Sequence, residues 1–391
     1  MSEMYKHHFL CTPRLWQSLS NSVDEFSIIT TNALSEINYP IKGLNVQMPF
    51  KEGLENPSFT SFRSPYAFLN RLYFSFKARQ SLKELILTGK IDLVHCFGQF
   101  AGLSTISLAK SHKIPVVFTT FNPVWSNEKN CTSFKFDLLF SLEKRCIRLA
   151  SKVLVPSDDL AMNYVRYLDV RKSHIGVLPN PVDTELFSKQ NDAKYDSKRD
   201  HTIVFVARIS PHKNQLALVK AIPMILRNVR NIKFLFVGPI GDYSYYNQIM
   251  TEIRRNKLDS VVRVLGTVPL QNLIDIYREA DMFVILSLNE AGLPLACLEA
   301  MSSGLPLIVS DKPYYRQYLS NELAVFVDPH SIDSISKAVI DLILDKKKRE
   351  EMSCSARALA ERLYSLKSYA QELVSIYQNV ISENKTLAGQ C

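Results

Sequence analysis

Short apolar runs alternate with longer amphipathic segments along most of the chain. The runs at residues 91–97, 202–207 and 282–286 have the length and composition of β-strands that are buried on both faces. Segments with a helical period follow some of these runs, including residues 101–111 and 214–228. Because strands that alternate with helices build βαβ units, the pattern predicts an α/β protein with parallel sheets.

A polar segment divides this pattern into two series. Residues 188–201, SKQNDAKYDSKRDH, are highly charged, which is typical of a linker or an exposed loop. The chain has 391 residues, which is too long for one ordinary core. We therefore predict an N-terminal Rossmann-like domain over residues 1–187, a C-terminal one over residues 200–364 and a terminal helical segment over residues 365–391.

The composition is that of a globular protein with a basic surface. The hydrophobic content is 46% and the formal net charge is +9, so anionic partners such as nucleoside diphosphates or acidic lipid surfaces are favoured. No zinc-finger, RNA-binding or helix-turn-helix signature accompanies this charge, which argues against nucleic acid as a partner.

Cysteine usage and hydropathy favour a cytoplasmic setting. The seven cysteines are scattered and form no Cys-x-x-Cys pair, so we expect neither a zinc site nor a disulfide framework. No apolar run approaches the ~18 residues that span a bilayer. The first residues, MSEMYKHHFLCTP, also lack the apolar core of a signal peptide.

One predicted helix, residues 63–87, is unusually basic and aromatic. Its five cations face a single acid, Glu84, and aromatic residues are interleaved with them. This composition fits a helix on an anionic membrane surface, with the contact over residues 63–83. It also fits an ordinary domain helix whose apolar face packs on the sheet and whose basic face is solvated.

The stretch from Asp281 to Gly304 has the order of a buried strand, a loop and a helix. Pro294 suits the first helical position because its φ is fixed and it lacks an N–H group. A loop at the carboxyl end of a parallel strand is where α/β proteins bind ligands. The free N–H groups at the start of the helix would face an anion there, and two carboxylates, Glu290 and Glu299, belong to the same stretch.

This stretch, DMFVILSLNEAGLPLACLEAMSSG, resembles the retaining nucleotide-sugar glycosyltransferases of family 4, which have the GT-B architecture. In that family seven residues separate the two glutamates, whereas eight separate Glu290 from Glu299 here. Either one residue is inserted around Ala291, or the first carboxylate has moved. The segment that begins at Ala207 is similar to the family's Gly-Arg-Leu motif and its following Lys, with Arg208 and Lys213 as the matching cations.

The resemblance implies a reaction and a set of residues for it. Such enzymes move a sugar from a nucleoside diphosphate donor to an acceptor, with retention of anomeric configuration. Glu299 would bind the ribose hydroxyls, and Glu290 would act on the donor sugar as the candidate catalytic residue. No cofactor is implied and no metal is expected, because fixed cations and amides can stabilise the leaving diphosphate. The expected diphosphate ligands are Arg208, Lys213 and the backbone N–H groups of Ala291, Gly292 and Leu293.

The resemblance also assigns roles to the two domains. The fold would be α/β of the GT-B type, with two Rossmann-like domains whose parallel sheets face each other across a cleft. Residues 1–187 would bind a glycan or lipid-linked acceptor, residues 200–364 would bind the donor, and the helix in 365–391 would return to the first domain. The expected location is the cytoplasm, with peripheral contact to the cytoplasmic membrane face as an option.

Two departures from the family pattern leave a second function open. The family carries paired glycines near the N-terminus, whereas the first glycine here is Gly43, so the first βα unit is missing or reduced. Phe121 stands where the family often has a histidine, and a phenyl ring can neither donate a hydrogen bond nor carry a proton. The alternative is therefore a catalytically degenerate GT-B protein that acts as a binding or scaffold subunit. A GT-B sugar-nucleotide epimerase fits the spacing after Ser287 less well.

Overall fold

The computed structural model forms two compact units. One unit comprises Asn180–Ser368, and the other comprises Leu10–Pro179 together with Tyr369–Cys391. Within these spans the structure describes residues 13–20, 23, 26–29, 44–47, 65–89, 91–121, 134–188, 200–290 and 292–389.

The unit that contains the N-terminal half has two parallel sheets, and helices connect the strands of the four-stranded one. Strands β1 and β2 pair with each other, and a separate sheet has the order β3-β4-β5-β6. The elements in chain order are α1 (Pro13–Ser20), β1 (Phe26–Ile29), β2 (Leu44–Gln47), α2 (Pro65–Thr88), β3 (Val94–Phe97), α3 (Gln99–Ser111), β4 (Val116–Thr119), α4 (Phe134–Leu149), β5 (Lys152–Val155), α5 (Asp158–Leu168) and β6 (Ile175–Val177).

The middle of the four-stranded sheet is buried on both faces. Val116, Val117 and Phe118 of β4 are fully buried, as are Val153 and Leu154 of β5. Such uninterrupted burial is expected where helices cover both sides of a parallel sheet, and it explains why these strands are continuous apolar runs.

The second unit is a six-stranded parallel sheet with the order β12-β11-β10-β7-β8-β9. Its elements are β7 (His201–Val206), α6 (Gln215–Asn228), β8 (Ile232–Val237), α7 (Tyr243–Arg255), β9 (Val262–Gly266), α8 (Leu270–Glu279), β10 (Met282–Ile285), α9 (Leu295–Ser302), β11 (Leu307–Ser310), α10 (Pro313–Arg316), β12 (Ala324–Val327), α11 (Ile332–Leu344) and α12 (Lys346–Leu363). The last helix, α13 (Leu366–Gly389), follows α12.

The strand order of this sheet reverses between β7 and β10. The chain proceeds from β7 to β8 and β9 on one side, and then crosses to β10, β11 and β12 on the other side. The carboxyl ends of the strands at such a reversal leave a crevice, where open α/β sheets bind their ligands. This edge of the sheet is therefore the place to look for a site.

The prediction of an α/β fold with two Rossmann-like, parallel-stranded domains is confirmed. Several helices differ from the sequence prediction at their first residue. The helix predicted to start at Asn214 starts at Gln215, because Asn214 is left-handed with φ 60° and closes a 3₁₀ turn over Pro211–Lys213. The helix predicted from residue 101 already starts at Gln99.

Residues 180–187 belong to the unit of the six-stranded sheet. The N–H group of Val182 donates to the carbonyl of Tyr364 at 2.7 Å, and Phe187 packs edge-on against Tyr277. Val182 also forms a parallel bridge with Ser365. These contacts attach the segment that precedes the charged stretch to the helices around the C-terminal sheet.

Among the helices that the structure describes, none combines the length and the apolar composition that a bilayer span needs.

Candidate functional site: the carboxyl edge of the second sheet

The loops that leave β7 and β10 carry three of the residues singled out from the sequence. The loop after β7 contains Arg208 and Lys213, and the loop after β10 contains Glu290. Because β7 and β10 are neighbours in the sheet, their loops emerge side by side where the strand order reverses. A backbone hydrogen bond from the N–H group of Leu288 to the carbonyl of His212, 2.8 Å long, joins the two loops.

The sequence-predicted residues Lys213 and Glu290 form an ion pair. The ammonium group of Lys213 donates to the Oε1 atom of Glu290. Their side chains are only 15% and 14% exposed, so the pair is shielded from bulk water more than a surface salt bridge would be. Their opposite charges offset each other in this arrangement.

The position of Arg208 depends on a nearby glycine. Arg208 is exposed at the start of its loop, and its carbonyl accepts a hydrogen bond from Nε2 of Gln215 at 2.8 Å. A Cβ atom on Gly241 would lie 2.5 Å from Cδ of Arg208. The chain after β8 therefore passes directly along the aliphatic stem of this arginine, and only glycine leaves room for it.

His212 is a member of this site that the sequence reasoning did not single out. Its Nδ1 atom lies 3.1 Å from Oγ of Ser210. Burial lowers the pKa of His212, the cations Lys213 and Arg208 lower it further, and Glu290 opposes them. A neutral imidazole at pH 7 is therefore favoured, and the permanent cations of the loop are the arginine and the lysine. The histidine stands between the two cations in the sequence, which is the signal that could have identified it.

The second glutamate, Glu299, lies on α9 and is held by a tyrosine. The hydroxyl group of Tyr277 donates to Oε2 of Glu299 at 2.9 Å and lies 3.2 Å from the carbonyl of Ala296. Burial raises the pKa of Glu299 to about 7, although the hydrogen bond from Tyr277 lowers it. The carboxyl group is thus poised to change charge near neutral pH, unlike an ordinary surface glutamate.

The start of α9 completes the edge of the sheet. Pro294 occupies the N-cap position without a side-chain hydrogen bond, and its carbonyl accepts from the N–H group of Cys297. Gly292 has a φ of 154°, which a residue with a Cβ atom rarely adopts. Leu293 is buried, and Ala291 lies outside the described residues.

Phe121 belongs to the other unit, where it stacks on Phe97 with ring centroids 6.5 Å apart. Phe97 in turn stacks on His95. Both ring nitrogens of His95 have partners: Nδ1 lies 2.6 Å from the hydroxyl of Tyr377, and Nε2 lies 2.7 Å from Oγ1 of Thr119. Burial lowers the pKa of His95 to about 3, so this histidine is a neutral, structural link between β3 and α13.

Among the described residues, no three His, Cys, Asp or Glu side chains come together in a group that could hold a metal ion. The expectation that no metal takes part in the reaction stays a prediction.

Two family models match consecutive parts of the chain. The model described as "Glycosyltransferase Family 4" matches residues 47–186, and the one described as "Glycosyl transferases group 1" matches residues 187–359. The chain belongs to the group 1 glycosyltransferases and has their GT-B fold.

Individual relatives agree with this assignment. The GPI3 subunit of phosphatidylinositol N-acetylglucosaminyltransferase from Saccharomyces cerevisiae is 23% identical over 308 residues, which cover 77% of this chain and 66% of that protein. The D-inositol 3-phosphate glycosyltransferase of Corynebacterium glutamicum is 28% identical over 264 residues, which cover 63% and 62% of the two chains. The chain thus spans less than two thirds of the length of these relatives.

The fold is similar to that of a solved glycosyltransferase-type structure. Anabaena HepE in complex with UDP superposes with a TM-score of 0.66, covers 87% of this chain and 86% of its own, and is 17% identical. At this identity the similarity shows the fold alone.

Proposed function

We propose that this protein transfers a sugar from a nucleoside diphosphate donor to a sugar or lipid-linked acceptor, with retention of anomeric configuration and without a metal ion. The observation that carries the proposal is the junction of two loops at the strand reversal of the second sheet. There the loop of Arg208 and Lys213 is bonded to the loop of Glu290. Open α/β sheets bind their ligands in this kind of crevice.

The chemical problem in this reaction is the negative charge that grows on the leaving diphosphate. Arg208 offers a planar fork that matches two phosphate oxygens, and Lys213 offers a compact point charge. The N–H groups at the start of α9 add fixed dipoles. Groups that are already in place stabilise the developing charge more than they stabilise the bound donor, which is how they lower the barrier.

The ion pair of Lys213 with Glu290 gives both residues a task in this scheme. In the free protein Glu290 holds the ammonium group at the carboxyl edge of the sheet. When a diphosphate binds, the ammonium group exchanges part of its contact with Glu290 for phosphate oxygens. The carboxylate is then left facing the donor sugar, where it orients the ring or stabilises positive charge near the anomeric carbon.

The remaining assignments follow the same geometry. Glu299 receives the ribose hydroxyls of the nucleotide as hydrogen-bond donors, while Tyr277 fixes its carboxyl group. The acceptor oxygen attacks the anomeric carbon as the bond to the diphosphate breaks, and the acceptor proton passes to the departing phosphate oxygen. No protein side chain has to serve as a base for that transfer.

Release of nucleoside diphosphate is the direct test of this proposal. The purified protein is incubated with a panel of UDP-, GDP- and ADP-sugars, with and without a lipid extract as acceptor source. We expect release from one donor class, and Glu290→Gln should depress turnover while leaving nucleotide affinity nearly unchanged. Exposed Glu322→Gln in the same unit is the matched control. Normal turnover of Glu290→Gln would remove this residue from the reaction.

A catalytically degenerate subunit is the second candidate, and two observations favour it. Phe121 packs into an aromatic stack in place of a residue that could donate a hydrogen bond, and one relative is named as a subunit of a larger transferase. Release of nucleoside diphosphate distinguishes the two functions, because a scaffold subunit should release none from any donor. Such a subunit should also bind nucleotide weakly or not at all.

We also propose that α2 contacts an anionic membrane surface. Its buried side, with Ala78 and Leu82, packs inside the unit. Its outward side exposes Tyr73 by 44%, Phe76 by 55% and Leu87 by 72%. The ammonium of Lys77 lies 5.7 Å from the centroid of the Tyr73 ring, and Lys83 is exposed as well. Aromatic and cationic side chains on one helix face are typical of interfacial helices.

Vesicle sedimentation tests this contact. Vesicles that contain anionic lipid should retain the protein at low salt, and the double change Lys77→Gln with Lys83→Gln should weaken retention. Phe76→Ser should weaken it at high salt too, because that contribution is apolar. Lys110→Gln on α3 is the matched loss of an exposed cation. Equal retention of all variants would return α2 to a purely structural role.

A further inference from the structure

One peptide group in the loop after β10 is held at both of its polar ends. Its carbonyl, that of Ser287, accepts a hydrogen bond from the hydroxyl of Tyr314 at 2.7 Å. Its N–H group, that of Leu288, donates to the carbonyl of His212 at 2.8 Å. A single peptide group therefore connects three segments of the chain: the loops that follow β7 and β10, and the short helix that follows β11.

Tyr314 lies on the short helix α10, which begins at Pro313, shortly after the end of β11, in the sequence Lys312-Pro313-Tyr314-Tyr315. Tyr314 is 8% exposed and Tyr315 is fully buried, and their ring centroids are 4.8 Å apart. The hydroxyl of Tyr315, in contrast, lies close to the side chains of Ser287 and Cys297 but forms no well-aligned hydrogen bond among the residues that the structure describes.

The consequence of the Tyr314 hydrogen bond extends to the ion pair. Lys213 follows His212 directly, and Glu290 lies two residues after Leu288. The peptide group thus fixes the spacing between the backbones that carry the cation and the carboxylate. Because hydrogen bonds at the two ends of one peptide group polarise each other, the loss of one weakens the other.

We infer that Tyr314 is a positioning residue, which holds the loops of Lys213 and Glu290 in register through the Ser287–Leu288 peptide group. It touches neither donor nor acceptor in this scheme. Its effect on nucleotide binding rests on the proposed function, whereas its hold on the two loops does not.

The adjacent tyrosines provide a matched pair of variants. Tyr314→Phe removes one hydroxyl that donates to the peptide group, and Tyr315→Phe removes a neighbouring hydroxyl of the same size that lies beside the Ser287 side chain but donates no hydrogen bond to that peptide group. Amide hydrogen exchange of the full chain, followed by mass spectrometry, reports on the loops without any ligand. Peptides that cover residues 207–214 and 286–290 are compared with peptides from α11.

We expect Tyr314→Phe to accelerate exchange in both loops by roughly three- to tenfold, the factor that corresponds to one net hydrogen bond. Exchange in α11 should not change, and Tyr315→Phe should match the parent in the loops. A general loss of stability would instead accelerate exchange in α11 as well. Unchanged loops in Tyr314→Phe, or equal acceleration in both variants, would overturn the inference.

Calorimetric titration with UDP separates this inference from the proposed function. If the parent binds UDP, Tyr314→Phe should bind it three- to tenfold more weakly, and Tyr315→Phe should bind it as the parent does. Equal UDP binding by Tyr314→Phe, despite faster exchange in its loops, would refute the positioning role. If the parent binds none of UDP, GDP and ADP, the donor assignment fails, while the exchange data still decide whether Tyr314 holds the loops.

Discussion

If Glu299 binds the nucleotide as proposed, both the stability of the second unit and its affinity for nucleotide should depend on pH. Burial raises the pKa of the Glu299 carboxyl group from 4.5 to about 7. Ionisation of this group therefore lowers the free energy of unfolding by roughly 3 kcal/mol. Because the folded-state pKa is raised, the stabilising contribution is fully present below pH 4.5. It is lost as the pH rises through about 7.

Glu299→Gln removes this titration and keeps an acceptor for the Tyr277 hydroxyl. The variant should therefore be more stable than the parent at pH 8, by about 3 kcal/mol as an upper estimate, and by less than about 1 kcal/mol at pH 5. The nucleotide affinity of the parent, unlike its stability, should increase as the pH rises. If the ionised carboxylate receives the ribose hydroxyls, affinity for the nucleotide should rise about tenfold between pH 6 and pH 8 in the parent, and stay flat in Glu299→Gln.

The assay is urea unfolding at the two pH values, with exposed Glu322→Gln as control. Circular dichroism is the suitable signal, because the two tryptophans, Trp16 and Trp125, precede this unit in the sequence. An equal stability difference between parent and Glu299→Gln at pH 5 and pH 8 would refute the raised pKa. A stability difference that follows pH, with pH-independent nucleotide affinity in the parent, would refute the ribose assignment alone.

Three further experiments test the position of Arg208, the hydrogen bonds of His95 and the domain boundaries. Gly241→Ala should displace the stem of Arg208 and weaken nucleotide binding, and combined with Arg208→Ala it should add little; calorimetry of the single and double variants measures this coupling. Tyr377→Phe leaves Nδ1 of the partly buried His95 without its described partner, so the free energy of unfolding of the unit that contains α13 should fall by about 1 kcal/mol, seen as a lower urea midpoint by tryptophan fluorescence. Limited proteolysis should cut first within residues 188–200 and leave two compact fragments, whereas early cuts inside the six-stranded sheet would contradict the domain boundaries.

The sequence was most informative where local signals agree with burial. The stretch from Asp281 to Gly304 was predicted as strand, loop and helix, and the structure has β10 and α9 in these positions. The continuous apolar run and the Pro and Gly at the ends of the helix are local features. The helix α5 was not assigned, although Ser157 caps it through a hydrogen bond from the N–H group of Leu160, and the Ser-Asp-Asp sequence there was a usable signal.

The site was less predictable because its contacts depend on strand order. Lys213 and Glu290 are 77 residues apart and meet only because β7 and β10 are neighbours, which no local pattern specifies. The raised pKa of Glu299 likewise depends on its burial in the folded unit, and the hydrogen bond from Tyr277, on another helix, opposes that shift. Tyr314 gave no signal as a single residue, because its role depends on which carbonyl its hydroxyl reaches.

Calorimetric titration of UDP, GDP and ADP into the parent, Arg208→Ala and Lys213→Ala tests the central claim most directly. The parent should bind one of the three nucleotides. Each alanine variant should bind it about ten- to a hundredfold more weakly, since one charge-assisted contact to a diphosphate contributes about 1.5–3 kcal/mol. Arg208→Lys should not restore affinity, because an ammonium group cannot make the two-pronged contact of a guanidinium. Exposed Arg263→Ala in the same unit should bind as the parent does. Parental affinity in both Arg208→Ala and Lys213→Ala would show that the donor diphosphate does not bind at this edge of the sheet.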